Sequence, residues 1–266
     1  MTSAQKVLVE AKHAQEISSV LWDLDPMRTG CKGDATMQDE YEFQAQEIAS
    51  MIDHALLKPS MTDQDIYQGC KIADTYGVAS VCVRPCDVKK AGEILQNSKV
   101  LVTTVIGFPH GTSTTKAKVF ESEEAMNNGA VELDVVLNIG KLKSADYNYV
   151  KEDLKAVIEN AHPRGVLVKV IFENCYLTDE EKIAACKICN ESGADFVKTS
   201  TGFGSGGAED HDIILMRKYS HPKIQVKAAG GVRTLERAIR VKELGCTRFG
   251  CTATVAILDQ LKSLDK

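Results

Sequence analysis

The chain is 266 residues long, 44% hydrophobic and 26% charged, with a formal net charge of −5 at pH 7. That size suits one large α/β domain with a full core, and the acidic balance excludes a nucleic-acid surface, so an anionic ligand needs a local positive site. No run reaches the roughly 18–20 apolar residues that span a membrane, and nine scattered cysteines, with no secretory leader or pairing framework, are expected to be reduced thiols of a cytoplasmic protein.

Residues 1–40 read as an N-terminal helical and loop extension. A helical pattern over residues 5–24 carries the single tryptophan, Trp22, and a polar stretch with Pro26, Gly30 and Gly33 follows. Glu10, Glu16, Asp23 and Asp25 exclude an organelle transit peptide, which would be acid-poor. From Tyr41 onward, over 41–266, the pattern becomes regular and predicts a single domain. Strand-like runs fall at 51–56, 79–84, 101–108, 130–138, 166–172, 195–201, 224–229 and 248–252. Helical patterns lie between them at 63–76, 115–127, 147–161, 179–192, 210–219 and 234–244. Thr178 ahead of Asp179-Glu180-Glu181 is an N-cap, and Gly77, Gly129, Gly193 and Gly245 stop helices. Alternating strands and helices predict a parallel sheet, and eight such units fit a closed (β/α)8 barrel. The alternative, a doubly wound open sheet, wants a GxGxxG turn after an early strand; strand one here runs into His54-Ala55-Leu56-Leu57-Lys58-Pro59.

Three lysines interrupt these apolar runs at equal intervals of 29 residues, each after a valine: Lys169, Lys198 and Lys227. A lysine in a buried strand has lost water, and neighbouring cations lower its pKa further toward the free amine. The repeat predicts three side chains from successive units aimed into one pocket. With Asp134 on strand four and Asp53 on strand one as the only carboxylates marked beside them, the lysines repel one another and one is deprotonated. A neutral amine attacks a carbonyl to form a Schiff base, an electron sink for making or breaking carbon–carbon bonds, with an aspartate handling protons. Spacing does not say which lysine is the nucleophile. Lys198 is followed by the small, hydroxylated Thr199-Ser200-Thr201-Gly202, which leaves room for substrate. Lys227 is followed by Ala228-Ala229-Gly230-Gly231-Val232-Arg233, where glycines allow close backbone approach and the helix from Thr234 aims N–H groups at an anion.

Other polar residues carry weaker signals. Cys186 and Cys189 form a CxxC, but without a second pair they read as core-facing positions of one helix. Cys82 and Arg84 lie on strand two, where Cys82 reads as barrel lining. Of six histidines only His54 and His110 fall near strand ends, so the pattern predicts no metal site and no cofactor.

These residues also carry a resemblance. The segments Ile52-Asp53-His54-Ala55-Leu56-Leu57-Lys58-Pro59, Gly107-Phe108-Pro109-His110-Gly111, Glu132-Leu133-Asp134-Val135-Val136, Phe196-Val197-Lys198-Thr199-Ser200-Thr201-Gly202-Phe203, Val226-Lys227-Ala228-Ala229-Gly230-Gly231-Val232-Arg233 and Arg248-Phe249-Gly250 follow one another in order. Together they make the span from Tyr41 to Leu261 resemble the deoxyribose-phosphate aldolases, class I Schiff-base enzymes. The resemblance implies a TIM barrel that reversibly cleaves 2-deoxy-D-ribose 5-phosphate to D-glyceraldehyde 3-phosphate and acetaldehyde, in the catabolism of deoxyribonucleotides. It implies Lys198 as the Schiff-base lysine, Lys227 as the cation that depresses its pKa and shuttles protons, and Asp134 as the acid/base partner acting through a water. Lys169 and Asp53 would support them. Thr201, Gly202, Gly230, Gly231, Gly250 and Thr252 would hold the substrate and its phosphate. Two departures stand out. Relatives often carry two serines where this chain has Thr252-Ala253, so the second hydroxyl is missing and Thr254 is the candidate to replace it. Residues 1–40 take no part in the resemblance.

The expected partner is a small phosphorylated sugar, with no nucleic acid and no membrane, in a homodimer or homotetramer. Two other readings compete: a different Schiff-base barrel such as a transaldolase, and a catalytically silent barrel kept for binding or regulation. The intact set of Lys198, Lys227 and Asp134 argues against the second.

Overall fold

The computed structural model describes residues 45–263, so the extension expected over 1–40 lies outside the described residues. Eight strands run β1 (Ile52–Leu56), β2 (Ser80–Val83), β3 (Leu101–Ile106), β4 (Glu132–Val136), β5 (Leu167–Ile171), β6 (Phe196–Lys198), β7 (Gln225–Ala229) and β8 (Arg248–Cys251). Each pairs in parallel with the next, and β8 closes on β1 through Ile52–Phe249 and Asp53–Gly250. The result is the (β/α)8 TIM barrel, and the open sheet is ruled out: closure leaves no edge strand.

The helices among the described residues are α1 (Asp63–Tyr76), α2 (Val88–Ile94), α3 (Thr115–Asn127), α4 (Ile139–Lys143), α5 (Tyr147–Ala161), α6 (Asp179–Ser192), α7 (Asp210–Tyr219), α8 (Leu235–Glu243) and α9 (Thr254–Ser263), with a further helical turn over 45–50. Their ends follow the local chemistry. Thr178 accepts from the Glu181 amide while Glu181 reaches back to the Thr178 amide, a closed capping box. Gly77 and Gly193 end α1 and α6 in the left-handed conformation, at φ 60° and 79°. Helices α2 and α4, of seven and five residues, are too short to show a period, and they escaped the sequence pattern. Strand β6 keeps only three of the seven residues expected. Beyond Lys198 the Thr199 hydroxyl takes over the ladder, donating to the Ala229 carbonyl at 3.1 Å and accepting from the Ala229 amide at 3.0 Å.

Strand alternation divides the residues between two layers. In β4, Leu133 and Val135 join the apolar layer between sheet and helices, while Glu132 and Asp134 face the barrel axis. Cys186 and Cys189 are fully buried in that outer layer, as their helical spacing implied. Helix α1 sits close on β1 because Gly69 leaves room for Leu56; a Cβ there would fall 2.3 Å from a Leu56 methyl.

Among the described residues, one ion pair of this outer layer is wholly shut off from solvent. Lys118 of α3 and Asp153 of α5, both wholly buried, meet at 2.5 Å, and the same ammonium donates to the Val136 carbonyl at 2.9 Å, just past the axis-facing Asp134. Removing one partner would strand a charge away from water. Asp153→Ala should therefore lower the unfolding free energy by about 3 kcal/mol in urea titration. A loss comparable to that of an exposed pair would show that water reaches the site.

Candidate active site

Axis-facing positions of six strands carry a layer of charge, buried but for the half-buried Arg248. Asp134 on β4 is at its centre. Its Oδ2 accepts from Lys198 Nζ at 2.7 Å and Lys227 Nζ at 2.6 Å, and its Oδ1 accepts from Lys169 Nζ at 3.0 Å. Lys227 also pairs with Asp53, and Lys169 with Glu132 at 2.5 Å. Arg248 on β8 closes the ring, with Nη2 at 2.7 Å from Asp53 Oδ1 and 2.6 Å from Glu132 Oε2. Ser80 and Thr103 add hydroxyl donors to Asp53 and Glu132.

Within this layer the three lysines differ. Burial would lower Lys227, but Asp134 and Asp53 outweigh it and hold the ammonium well above the ordinary lysine value. Lys169 is raised in the same way, against its burial, by Asp134 and Asp53. Lys198 goes the other way: burial, helped by the neighbouring Lys227 charge, keeps its amine below the ordinary value despite Asp134. Burial alone would raise Asp134, yet the three lysines hold it well below the usual carboxylate range.

Above this layer, at the carboxyl ends of the strands, a cavity of about 450 Å³ opens. Lys198, Lys227, Asp53 and Cys82 lie on its wall. Gly202, Phe203, Gly230, Gly231, Gly250 and Thr252 form its upper part, and the exposed Lys58 and Arg233 bring positive charge to the mouth. Phe203 stands edge-on to Phe108 there, ring centroids 5.4 Å apart. Cys82 is a buried thiol, pushed up to about 11 by burial.

The sequence profile of the DeoC/LacD family aldolases matches residues 47–253. The chain belongs to the DeoC/LacD aldolase family. A deoxyribose-phosphate aldolase of Thermococcus gammatolerans is 51% identical over 82% of this chain and 98% of its own length. That of Thermococcus kodakarensis is 52% identical over 80% and 96%. Among solved structures, the tetrameric deoxyribose phosphate aldolase of Aeropyrum pernix superposes with a TM-score of 0.78 at 28% identity, covering 86% of this chain and all of that one. Among the described residues no helix is long and apolar enough to cross a membrane.

In this DeoC/LacD aldolase the expected residues converge, with four corrections. First, the three lysines do not share one register. Lys198 lies opposite Lys227, but Lys169 lies opposite Phe196, two residues earlier on β6, and is off the cavity wall. Equal spacing in sequence reports the length of a βα unit, whereas register depends on the local pairing. Second, the lysines are not short of carboxylates, because Glu132 joins Asp53 and Asp134. Third, Thr201 is already engaged: its hydroxyl and its amide both donate to the buried Glu173 carboxylate, and only its side-chain oxygen is left to accept, from Phe203 N–H. It nevertheless lines the cavity wall. Fourth, Thr254 does not replace the missing second hydroxyl. It is wholly buried and bonded to His54 Nδ1 at 2.8 Å, a histidine lowered to about 4 by burial and facing the outer layer.

Glu132, Arg248 and Glu173 went unmarked in the sequence although two of them lie inside the quoted motifs. The signal for Glu132 and Arg248 was the period of two: each stands two residues before a residue of the site, Asp134 and Gly250, on the same strand face. His110 is exposed, and Arg84 braces the loop after β1 through the Lys58 and Pro59 carbonyls. Asp179, His211 and Asp212 bring ligand-type atoms together on the outer helices, but Lys182 lies among them, 2.6 Å from Asp212 and 3.2 Å from Asp179, and supplies the positive charge.

Two of the cavity glycines have separable reasons to be glycine. Gly230, at φ 81°, approaches Gly207 so closely that a Cβ would fall 2.9 Å from the Gly207 Cα. Gly231, at φ 88°, has open space around it. Gly230→Ala should cost about 3 kcal/mol, from strain and backbone displacement together, and Gly231→Ala about 1–2 kcal/mol from backbone strain alone. Thermal unfolding of the two variants checks the order.

Proposed function

We propose that the chain is a class I aldolase that cleaves 2-deoxy-D-ribose 5-phosphate to D-glyceraldehyde 3-phosphate and acetaldehyde, and runs the reverse addition. One observation carries the assignment of roles. Lys198 and Lys227, opposite each other on adjacent strands, share one oxygen of Asp134 at the floor of the cavity, and of these two amines only Lys198 is held below its ordinary value. The half-identical deoxyribose-phosphate aldolases support the choice of substrate.

The chemistry follows from the layout. The neutral Lys198 amine adds to the C1 aldehyde of the open-chain sugar, and loss of water gives an iminium. The C3 hydroxyl surrenders its proton as the C2–C3 bond breaks, and that electron pair moves into the iminium to leave an enamine. Protonation at C2 and hydrolysis then release acetaldehyde. Asp134 takes and returns protons, in direct contact with both amines, and the Lys227 ammonium donates them and keeps Lys198 neutral. Lys169 and Asp53 fix the charge around Asp134. The phosphate lies against Gly202, Gly230, Gly231, Gly250 and Thr252, with Lys58 and Arg233 supplying charge at the mouth. Loop amides and one hydroxyl thereby hold it, since Thr201 and Thr254 are committed elsewhere. We further propose a cytoplasmic homodimer or homotetramer serving deoxyribonucleotide catabolism, with residues 1–40 an extension outside the aldolase domain of 41–266.

Borohydride reduction in the presence of acetaldehyde should fix a two-carbon adduct on Lys198, located by peptide mapping. An adduct on Lys169, or none on folded protein, would overturn the assignment. The rate should be indifferent to EDTA. Only the unprotonated Lys198 reacts, so activity falls as pH drops through its lowered pKa. Lys227→Leu removes a neighbouring cation and raises that pKa, and the acid limb of the rate profile should move to higher pH; an unmoved limb would refute the coupling.

A further inference from the structure

The buried layer holds three carboxylates, Asp53, Glu132 and Asp134, against four bases, Lys169, Lys198, Lys227 and Arg248. Three of the bases are firmly matched. Arg248 bridges Asp53 and Glu132 and does not give up its proton. Lys169 touches Asp134 and Glu132, and Lys227 touches Asp134 and Asp53. Lys198 has Asp134 alone, shared with both other lysines. Glu132 Oε2 accepts from Lys169, Arg248 and the Thr103 hydroxyl, so all three of its partners are donors. The other titratable group facing Lys198 is the Cys82 thiol, pushed up to about 11 by burial. The layer is therefore electrically balanced when Lys198 is neutral. Protonating it adds an unmatched charge where water is excluded.

We propose that Arg248 and Glu132, neither of which lines the cavity, are positioning residues that set the protonation state of Lys198 by fixing the net charge of the buried layer. Arg248 supplies the third cation that makes a fourth redundant. Glu132 neutralises Lys169 and Arg248, and keeps the layer from an excess of positive charge that would also discharge Lys227, the proton donor. Both act through the field at Lys198, and neither touches the substrate. The consequence for rate rests on Lys198 being the nucleophile; the charge argument does not.

The test reads the amine directly. Trace acetylation with acetic anhydride across a pH series, quantified on the Lys198 peptide, gives its apparent pKa without any turnover. Arg248→Met should raise that value by on the order of one pH unit, Glu132→Gln should lower it by a similar amount, and the double variant should return to the parent value. Damage to packing alone would shift the two single variants in one direction and leave the double variant the worst of the three. Opposite shifts with restoration support the proposal; an unmoved value in either folded single variant, or shifts of the same sign, overturn it. If Arg248→Met does not fold, Glu132→Gln against the charge-conserving Arg248→Lys carries the test: a lowered value in the first and an unmoved one in the second support it, and any other pair refutes it. If the labelling moves as expected while the acid limb of aldol cleavage stays fixed, the choice of nucleophile fails and the charge balance stands.

Discussion

A single carboxylate removed from water, Asp134, accepts from three lysine ammonium or amine groups, and the rest of the barrel interior is arranged around that fact. An isolated buried carboxylate would take up a proton. Surrounded by Lys169, Lys198 and Lys227 it stays an anion, and by staying so it holds the lysines where they are. The partners come from β4, β5, β6 and β7, up to 93 residues apart in sequence. Only a closed parallel sheet brings them to one axis. The apolar face of each strand builds the wall, and the alternate face carries the charge.

The same layer makes one lysine chemically different from the others. Register puts Lys198 and Lys227 side by side, and Asp53 with Arg248 anchors Lys227 from the β1–β8 side. Lys169, two residues off that register, is absorbed by Glu132 and Asp134 below the cavity floor. What remains is an amine on the wall of an open cavity with less negative charge near it than its neighbours have. Reactivity here is a residue left over from an otherwise matched set.

Much of this was legible in the chain. The alternation of β-branched runs with capped helices predicts the barrel, and the buried lysines with Asp134 predict the class of chemistry. The misreadings have physical causes. Thr201 and Thr254 look available because a hydroxyl in a glycine-rich turn is the usual anion donor. Their actual partners, Glu173 and His54, lie 28 and 200 residues away, and only the folded chain pairs them. Glu132 and Arg248 passed unnoticed because a charged residue at the start of a short strand looks like an exposed terminus; in the closed barrel Glu132 is buried and Arg248 half-buried, facing each other across the axis. The short helices α2 and α4 lack the two or three turns a period needs.

The cavity lining joins two kinds of surface: Phe203, edge-on to Phe108, and the cations Lys58 and Arg233. Dissolved ions screen the second and leave the first untouched. For a ligand that spans both, ionic strength then acts as a selectivity dial: added salt loosens the grip on a phosphorylated aldehyde and spares an apolar one. On the function proposed above, discrimination between a charged and an apolar aldehyde is then set by the solution as much as by the residues.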